Sequence, residues 1–530
     1  MTSSPPLRRA LKALLPVLAV LPLTPWLVAC QPIHPAGQLV VANKSSLGSV
    51  DPADITTIAG LQLLSAVGDP LYAADAEGRL QPRLATALPQ LSADGRIARI
   101  PLRRDVLFHD GTRFDAAAMV FSLERFRALG KMGYLLDDRI KGLRASGRYE
   151  LELELKRPYS ALPALLSSIS LTPLSPTAYR HYRKASLPDR FVGTGPYRLA
   201  SSSPQKQTLL PFQRYWGPPP RNRGIHLVTL SNSTALFGAL VSGEVDVLTS
   251  SGLESDQQRA LAERATTGRL VEAIGPAGEI GYLTLLSDRQ PLAAPLLRQA
   301  VALSLDRSLI SERVTYGIRA PLRSLVPPPL AGSTPPSWPA YNPGKARTLY
   351  RQAGFCQGKR LSLPLTFRSN VPADRLFALT WKAQLQRDLG DCVQLEISGV
   401  ESTTAYRQLE EGAFPMILLD WSADYPDPDS YLAPMLGCSR ASGERCLEGN
   451  AAAAGSFWSA PGLQAQLEAS EGLRGAERQA VLLNLQRRAA AGAAYIPVWQ
   501  VAPRAWAQAR LQRPVFDGSG RLVLQALSVR

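Results

Sequence analysis

From Pro343 to Ser422 the sequence switches repeatedly between two hydrophobic periods, and this switching restricts the possible folds more than any other feature. "NPGKARTLYRQAGF" sets apolar residues at helical spacing between an entry proline, Pro343, and a terminating glycine, Gly354. "KRLSLPLTFRSN" is a strand, "VPADRLFALTWKAQLQRDLGD" a long amphipathic helix, and "VQLEISGV" a second strand. "TTAYRQLEEGAF" is another helix, and "PMILLDWSADYP" a strand running into a loop rich in carboxylates. Strands separated by helices must cross over, so this half predicts an α/β fold with a largely parallel sheet covered on both faces.

The first half has a different texture. After the strand "QLVVAN", residues 69–114 string short segments between the turn dipeptides Glu77-Gly78, Asp94-Gly95 and Asp110-Gly111, which predicts β-hairpins. "DAAAMVFSLERFRAL" predicts a helix capped by Asp115, and "RYELELELKRP" alternates strictly, as a strand does. "TALFGALVSGEVDVLTS" reads as a helix stopped at Gly243 and then a buried strand. At 530 residues the chain exceeds what one hydrophobic core supports. The expected plan is two α/β lobes. Residues 38–280 form the first, with an extra hairpin-rich subdomain over about 60–190; residues 281–495 form the second; residues 496–530 return to the first. A cleft between such lobes is where ligands usually sit.

The N-terminus predicts export. Arg8, Arg9 and Lys12 precede the apolar run "ALLPVLAVLPLTPWLVA", whose prolines 16, 22 and 25 disfavour a spanning helix and suit a secretory leader. The run ends in Leu27-Val28-Ala29-Cys30, which looks like a bacterial lipobox. That likeness implies a signal peptide over 1–29, lipid on the Cys30 thiol, and a short tether over 30–37 at the extracytoplasmic face of a membrane. The formal charge of +16 falls to about +13 without residues 1–29, and its Lys and Arg are scattered singly, unlike the aromatic-interleaved basic patches of nucleic-acid binders. Cys356, Cys392, Cys438 and Cys446 are disulfide candidates in an oxidising compartment. Cys438 and Cys446 flank a small loop; Cys356 and Cys392 each precede a strand. No CxxC occurs, and the four histidines all lie in the first half, so a metal site is not expected.

"WSADYPDPDSYL", Trp421 to Leu432, raises the functional question, because Asp424, Asp427 and Asp429 suit a metal cage, an acid/base pair or one charged anchor. A calcium loop of the EF-hand type lacks its sixth-position glycine and twelfth-position glutamate here. GxSxG, HExxH, GxxxxGK[ST] and GxGxxG are absent. "GTGPY", from Gly193 to Tyr197, predicts a conformationally demanding turn, and His109-Asp110 a hairpin rather than a dyad.

Taken in order, "VDPADITTIAG", "GDPLYAADAEGRLQPRLATAL", "VLFHDGTRFDAAAMVFSLER", "GTGPYRL", "GEVDVL", "LRQAVALSLDRSLI", "YNPGKARTLYRQAGF" and "WSADYPDPDSYL" resemble the family 5 extracellular solute-binding proteins, the dipeptide- and oligopeptide-binding lipoproteins of ABC importers. The resemblance implies a two-lobed periplasmic-binding-protein fold (type II) with an extra subdomain, no catalysis and no cofactor. It implies a monomer that takes a small-molecule or short-peptide ligand and delivers it to ABC permease subunits. Residue for residue, it gives Asp424 the ligand's α-amino group, Trp421 the pocket wall, and Arg368 the ligand carboxylate; Asp427 and Asp429 are left to shape the turn. The alternatives are the same fold holding a nickel or other metal chelate or another small amine, and, from another class, a secreted hydrolase using Asp424 and Asp427. A membrane-surface or nucleic-acid binder using the mature positive charge is a third. Trp381 and Trp499 are expected in the core.

Overall fold

The computed structural model describes residues 37–530 except 45–46, 76, 183, 189 and 332–334. The leader, Cys30 and the tether up to residue 36 lie outside the described residues.

Two large sheets organise the chain. The seven-stranded sheet takes Leu39–Asn43, the strands between Tyr197 and Ile274, and Arg504–Gln508. The LVVA of its first strand is apolar because both faces are covered. Leu39 and Val41 enter one core with Val247, Ala505 and Ala507, while Val40 and Ala42 enter another with Leu248 and Trp506. The six-stranded sheet takes Glu279–Leu285, Ala320–Pro321, Leu361–Arg368, Val393–Val400, Met416–Ser422 and Tyr495–Val501. Here too the faces alternate: Met416 and Leu418 join the core of Trp381 and Trp499, and Ile417 and Leu419 the core of Trp338 and Tyr495. Trp381 and Trp499 are thus core residues, 0% and 2% exposed. A four-stranded antiparallel sheet between Gln90 and Leu155 packs with the helix Ala116–Leu129 as a separate apolar cluster.

The second sheet is mixed, not largely parallel. Leu361–Arg368 runs parallel to Val393–Val400 and to Met416–Ser422, as the intervening helices require, but Glu279–Leu285 is antiparallel to both of its neighbours. The cause is the entry and exit of the chain. It passes from Leu270–Ile274 to Glu279–Leu285 through residues 275–278, and back from Tyr495–Val501 to Arg504–Gln508 through residues 502–503. Tyr495–Val501 is hydrogen-bonded along Glu279–Leu285, so the return to the first sheet comes after Val501, later than the boundary expected at 495.

Local signals act where expected. Asp115 accepts from the Ala118 amide at 3.0 Å as an N-cap, and Gly243 ends its helix at φ +85°. "GTGPY" is demanding through crowding: a Cβ on Gly195 would stand 2.4 Å from the Gly68 nitrogen, and His109 Nε2 lies 3.0 Å from the Gly195 carbonyl. Asp110 instead accepts from Thr112 and Ser175, so the two side chains serve different elements. The structure joins Cys356 to Cys392 across the starts of two paired strands (S–S 2.06 Å), and Cys438 to Cys446 (2.11 Å).

Candidate functional site

Leu361–Arg368, Val393–Val400 and Met416–Ser422 run parallel and end on the same side of the six-stranded sheet, where Glu279–Leu285 begins. Ligands of open α/β sheets collect outside such carboxyl ends. The sequence-predicted site residues Arg368, Trp421 and Asp424 all emerge there.

The turn after Met416–Ser422 is tied to itself. Ser430, in the first turn of the helix Asp429–Leu436, accepts the Trp421 Nε1–H at its carbonyl (2.8 Å) and the Asp424 amide at its hydroxyl (2.9 Å). Trp421 and Asp424 are therefore held in one rigid unit, with Trp421 half-buried against the core of the second sheet.

The three carboxylates of this turn have three different environments. Asp427 meets Arg478 through two hydrogen bonds of 2.8 and 2.7 Å and accepts the Asp429 amide at 2.8 Å. Asp429, 2% exposed, accepts from the Tyr159 and Tyr425 hydroxyls at 2.9 and 3.0 Å. Among the described residues Asp424 has one side-chain contact, the Tyr134 hydroxyl at 3.4 Å, and Tyr134 comes from the hairpin-rich part of the chain. Burial pushes its carboxyl up to about 6, with the Tyr134 hydrogen bond opposing. Asp424 is thus a half-buried carboxylate with no cationic partner among the described residues.

Arg368 is already engaged. Its Nε donates to Asp374 at 2.8 Å, and its Nη1 pairs with Asp420 at 2.8 Å and donates to the Tyr406 hydroxyl at 3.1 Å. These contacts leave Nη2 without a protein partner among the described residues. The two carboxylates differ: Asp374 is 1% exposed, whereas the Asp420 side chain is 37% exposed at the rim. Burial, working against Arg368, raises the Asp374 carboxyl to about 6. Nearby Glu279, whose carboxylate makes no ion pair among the described residues, is raised to about 7 by burial and then by the charge of Asp420. Arg368 reaches the site strand through Asp420, the residue before Trp421, and makes no contact with Asp424 among those described.

Sequence reasoning missed Tyr134, Asp374, Asp420, Glu279, Tyr406 and Arg478. Asp420 was within reach, because it stands on the same strand immediately before Trp421. The others meet the site only through tertiary packing.

Comparison with known proteins gives this site a context. The sequence profile "Bacterial extracellular solute-binding proteins, family 5 Middle" matches residues 79–443. The glutathione-binding protein GsiB of Escherichia coli O1:K1 / APEC is 26% identical over 410 residues, 76% of this chain and 78% of that protein. NikA from Brucella suis, solved in complex with Fe(III)-EDTA, superposes with a TM-score of 0.80 at 21% identity, covering 93% of this chain and 100% of NikA. A dipeptide-binding protein from Pseudoalteromonas sp. SM9913, solved with Met-Leu, gives 0.76 at 21% identity, with 93% and 100% covered. The fold is that of the type II periplasmic binding proteins, and the chain belongs to the bacterial extracellular solute-binding proteins, family 5.

Proposed function

We propose that this protein is the lipid-anchored, extracytoplasmic receptor of an ABC importer and that it captures short peptides, glutathione-like tripeptides included, by their free amino group. The observation that carries the reading is Asp424, half-buried, raised to about 6 and without a cationic partner among the described residues. A desolvated carboxylate is stabilised most by a directional cation, and an α-ammonium fits beside the Trp421 wall. The ligand carboxylate goes to Arg368, entering at Nη2 or displacing the rim carboxylate Asp420 while the buried Asp374 stays in place. The family, the GsiB likeness and the Met-Leu complex support this assignment. Capture closes two lobes about residues 275–278 and 502–503, and Cys30 carries the lipid that keeps the receptor beside its permease.

The hydrolase alternative loses its second carboxylate, since Asp427 is neutralised by Arg478. No helix among the described residues is long and apolar enough to cross a membrane. A thermal-shift screen separates the remaining ligands: dipeptides and tripeptides, glutathione, and metal chelates. Peptides with free amino groups are expected to raise the melting temperature, with stabilisation of about 2.7 kcal/mol at a hundredfold excess over Kd. Stabilisation by chelates alone would overturn the reading.

A further inference from the structure

Residues 134–160 of the hairpin-rich part meet residues 424–471 of the second half through a compact polar contact. The Ser160 amide donates to the Glu471 carbonyl at 2.6 Å. The Glu471 carboxylate, 5% exposed, takes Arg157 through both Nε and Nη2, and Arg139 at 3.0 Å. Arg139 also lies 3.6 Å from Asp429 and stacks over the Tyr159 ring at 4.9 Å. The Tyr159 and Tyr425 hydroxyls stand 2.9 Å apart, both on Asp429. Among the described residues, Tyr425 is the second half's one member of the buried cluster built by residues 71–171. The contact borders a polar cavity of about 280 Å³.

This composition suits an interface that opens. A permanent core junction is apolar, whereas interfaces between moving parts are polar and small. Its charged members can be rehydrated on separation, and only one aromatic ring has to be withdrawn. The contact is also joined rigidly to the ligand anchor. Tyr425 and Asp429 share the turn of Asp424 that Ser430 ties together, and Tyr134 reaches Asp424 from the opposite side.

We propose that Tyr425, Asp429 and Glu471, with Tyr159, Arg139 and Arg157, form a latch that positions Tyr134 over Asp424, so that capturing the ligand and joining the two halves are one equilibrium. The six are positioning residues; the tie to ligand capture rests on Asp424 being the anchor proposed above. A latch that is open for a fraction of the time lowers apparent affinity by the same fraction, so loosening it has a defined effect.

Hydrogen exchange read by mass spectrometry on the whole protein, without ligand, tests the latch alone, because the Ser160 amide is part of it. Glu471→Gln and Tyr425→Phe are expected to speed exchange around Ser160 at least tenfold, and 0.5 M salt to speed it in the wild type, while the strand Val393–Val400 is unchanged. With Met-Leu as probe, each variant is expected to lose affinity in proportion to the fall in its latched fraction, a match that a merely structural role does not produce. Unchanged exchange at Ser160, acceleration spread evenly over the protein, or affinity losses unrelated to the latched fraction would each overturn the latch. If no peptide binds any form, the anchor reading fails, and the exchange data still decide whether the latch exists.

Discussion

Burial holds the Asp424 carboxyl up at about 6, so at neutral pH an ionised group sits half-buried with one long contact to Tyr134. A carboxyl raised above its unfolded value contributes stability below the ordinary carboxylate range and loses it as pH rises through about 6. The protein therefore gives up stability at neutral pH to keep this carboxylate, the proposed anchor, charged. Asp424→Asn is expected to raise the melting temperature of the ligand-free protein by roughly 1–2 °C at pH 7.5, with a smaller gain at pH 4.5 and none at about pH 3. The same titration sets binding: affinity should fall as pH drops through about 6, where Asp424 takes a proton, and again above about 8, where a peptide ammonium loses one. Calorimetric titrations across pH 5–9 check both limbs. The sequence shows three aspartates within six residues and does not by itself say which is free. What separates them is Arg478 on Asp427 and Tyr159 on Asp429, partners far away in the chain. The family resemblance singled out Asp424 where local spacing had no means to.

At the level of elements, the hydrophobic periods, caps and turn dipeptides place helices and strands well, because these are local signals. The Asp115 cap and the Gly243 stop are examples. Pairing direction in the second sheet was not legible, because it depends on where the chain enters and leaves that sheet and not on any segment's composition. The crowding that makes "GTGPY" glycine-rich likewise comes from Val67 and Gly68, more than a hundred residues earlier. The disulfides allow a graded test. In the chain-entropy description, the 36-residue separation of Cys356 and Cys392 gives about 4 kcal/mol and the 8-residue separation of Cys438 and Cys446 about 2.5 kcal/mol. Paired Cys→Ser replacements compared by denaturant midpoints under oxidising conditions should reproduce that order.

For the whole molecule, the proposed account has the two sheets, joined along the chain through residues 275–278 and 502–503, turn about those passages while each keeps its own cores. The candidate-site end of the second sheet and the proposed latch lie along one chain of contacts: Arg368 on Asp420, the Trp421–Ser430 turn, then Asp429 and Glu471 on Tyr159, Arg139 and Arg157. In the proposed account, a peptide that meets Asp424 and Arg368 together draws the halves shut, and its release reopens them. Isothermal titration of Met-Leu and its N-acetylated form into wild type and Asp424→Asn addresses the central claim most directly. The account predicts that the wild type favours the free amine by roughly a hundredfold or more and that Asp424→Asn binds the two forms within about threefold of each other. Equal binding of both forms by the wild type, or a preference for the free amine that survives in Asp424→Asn, would contradict it.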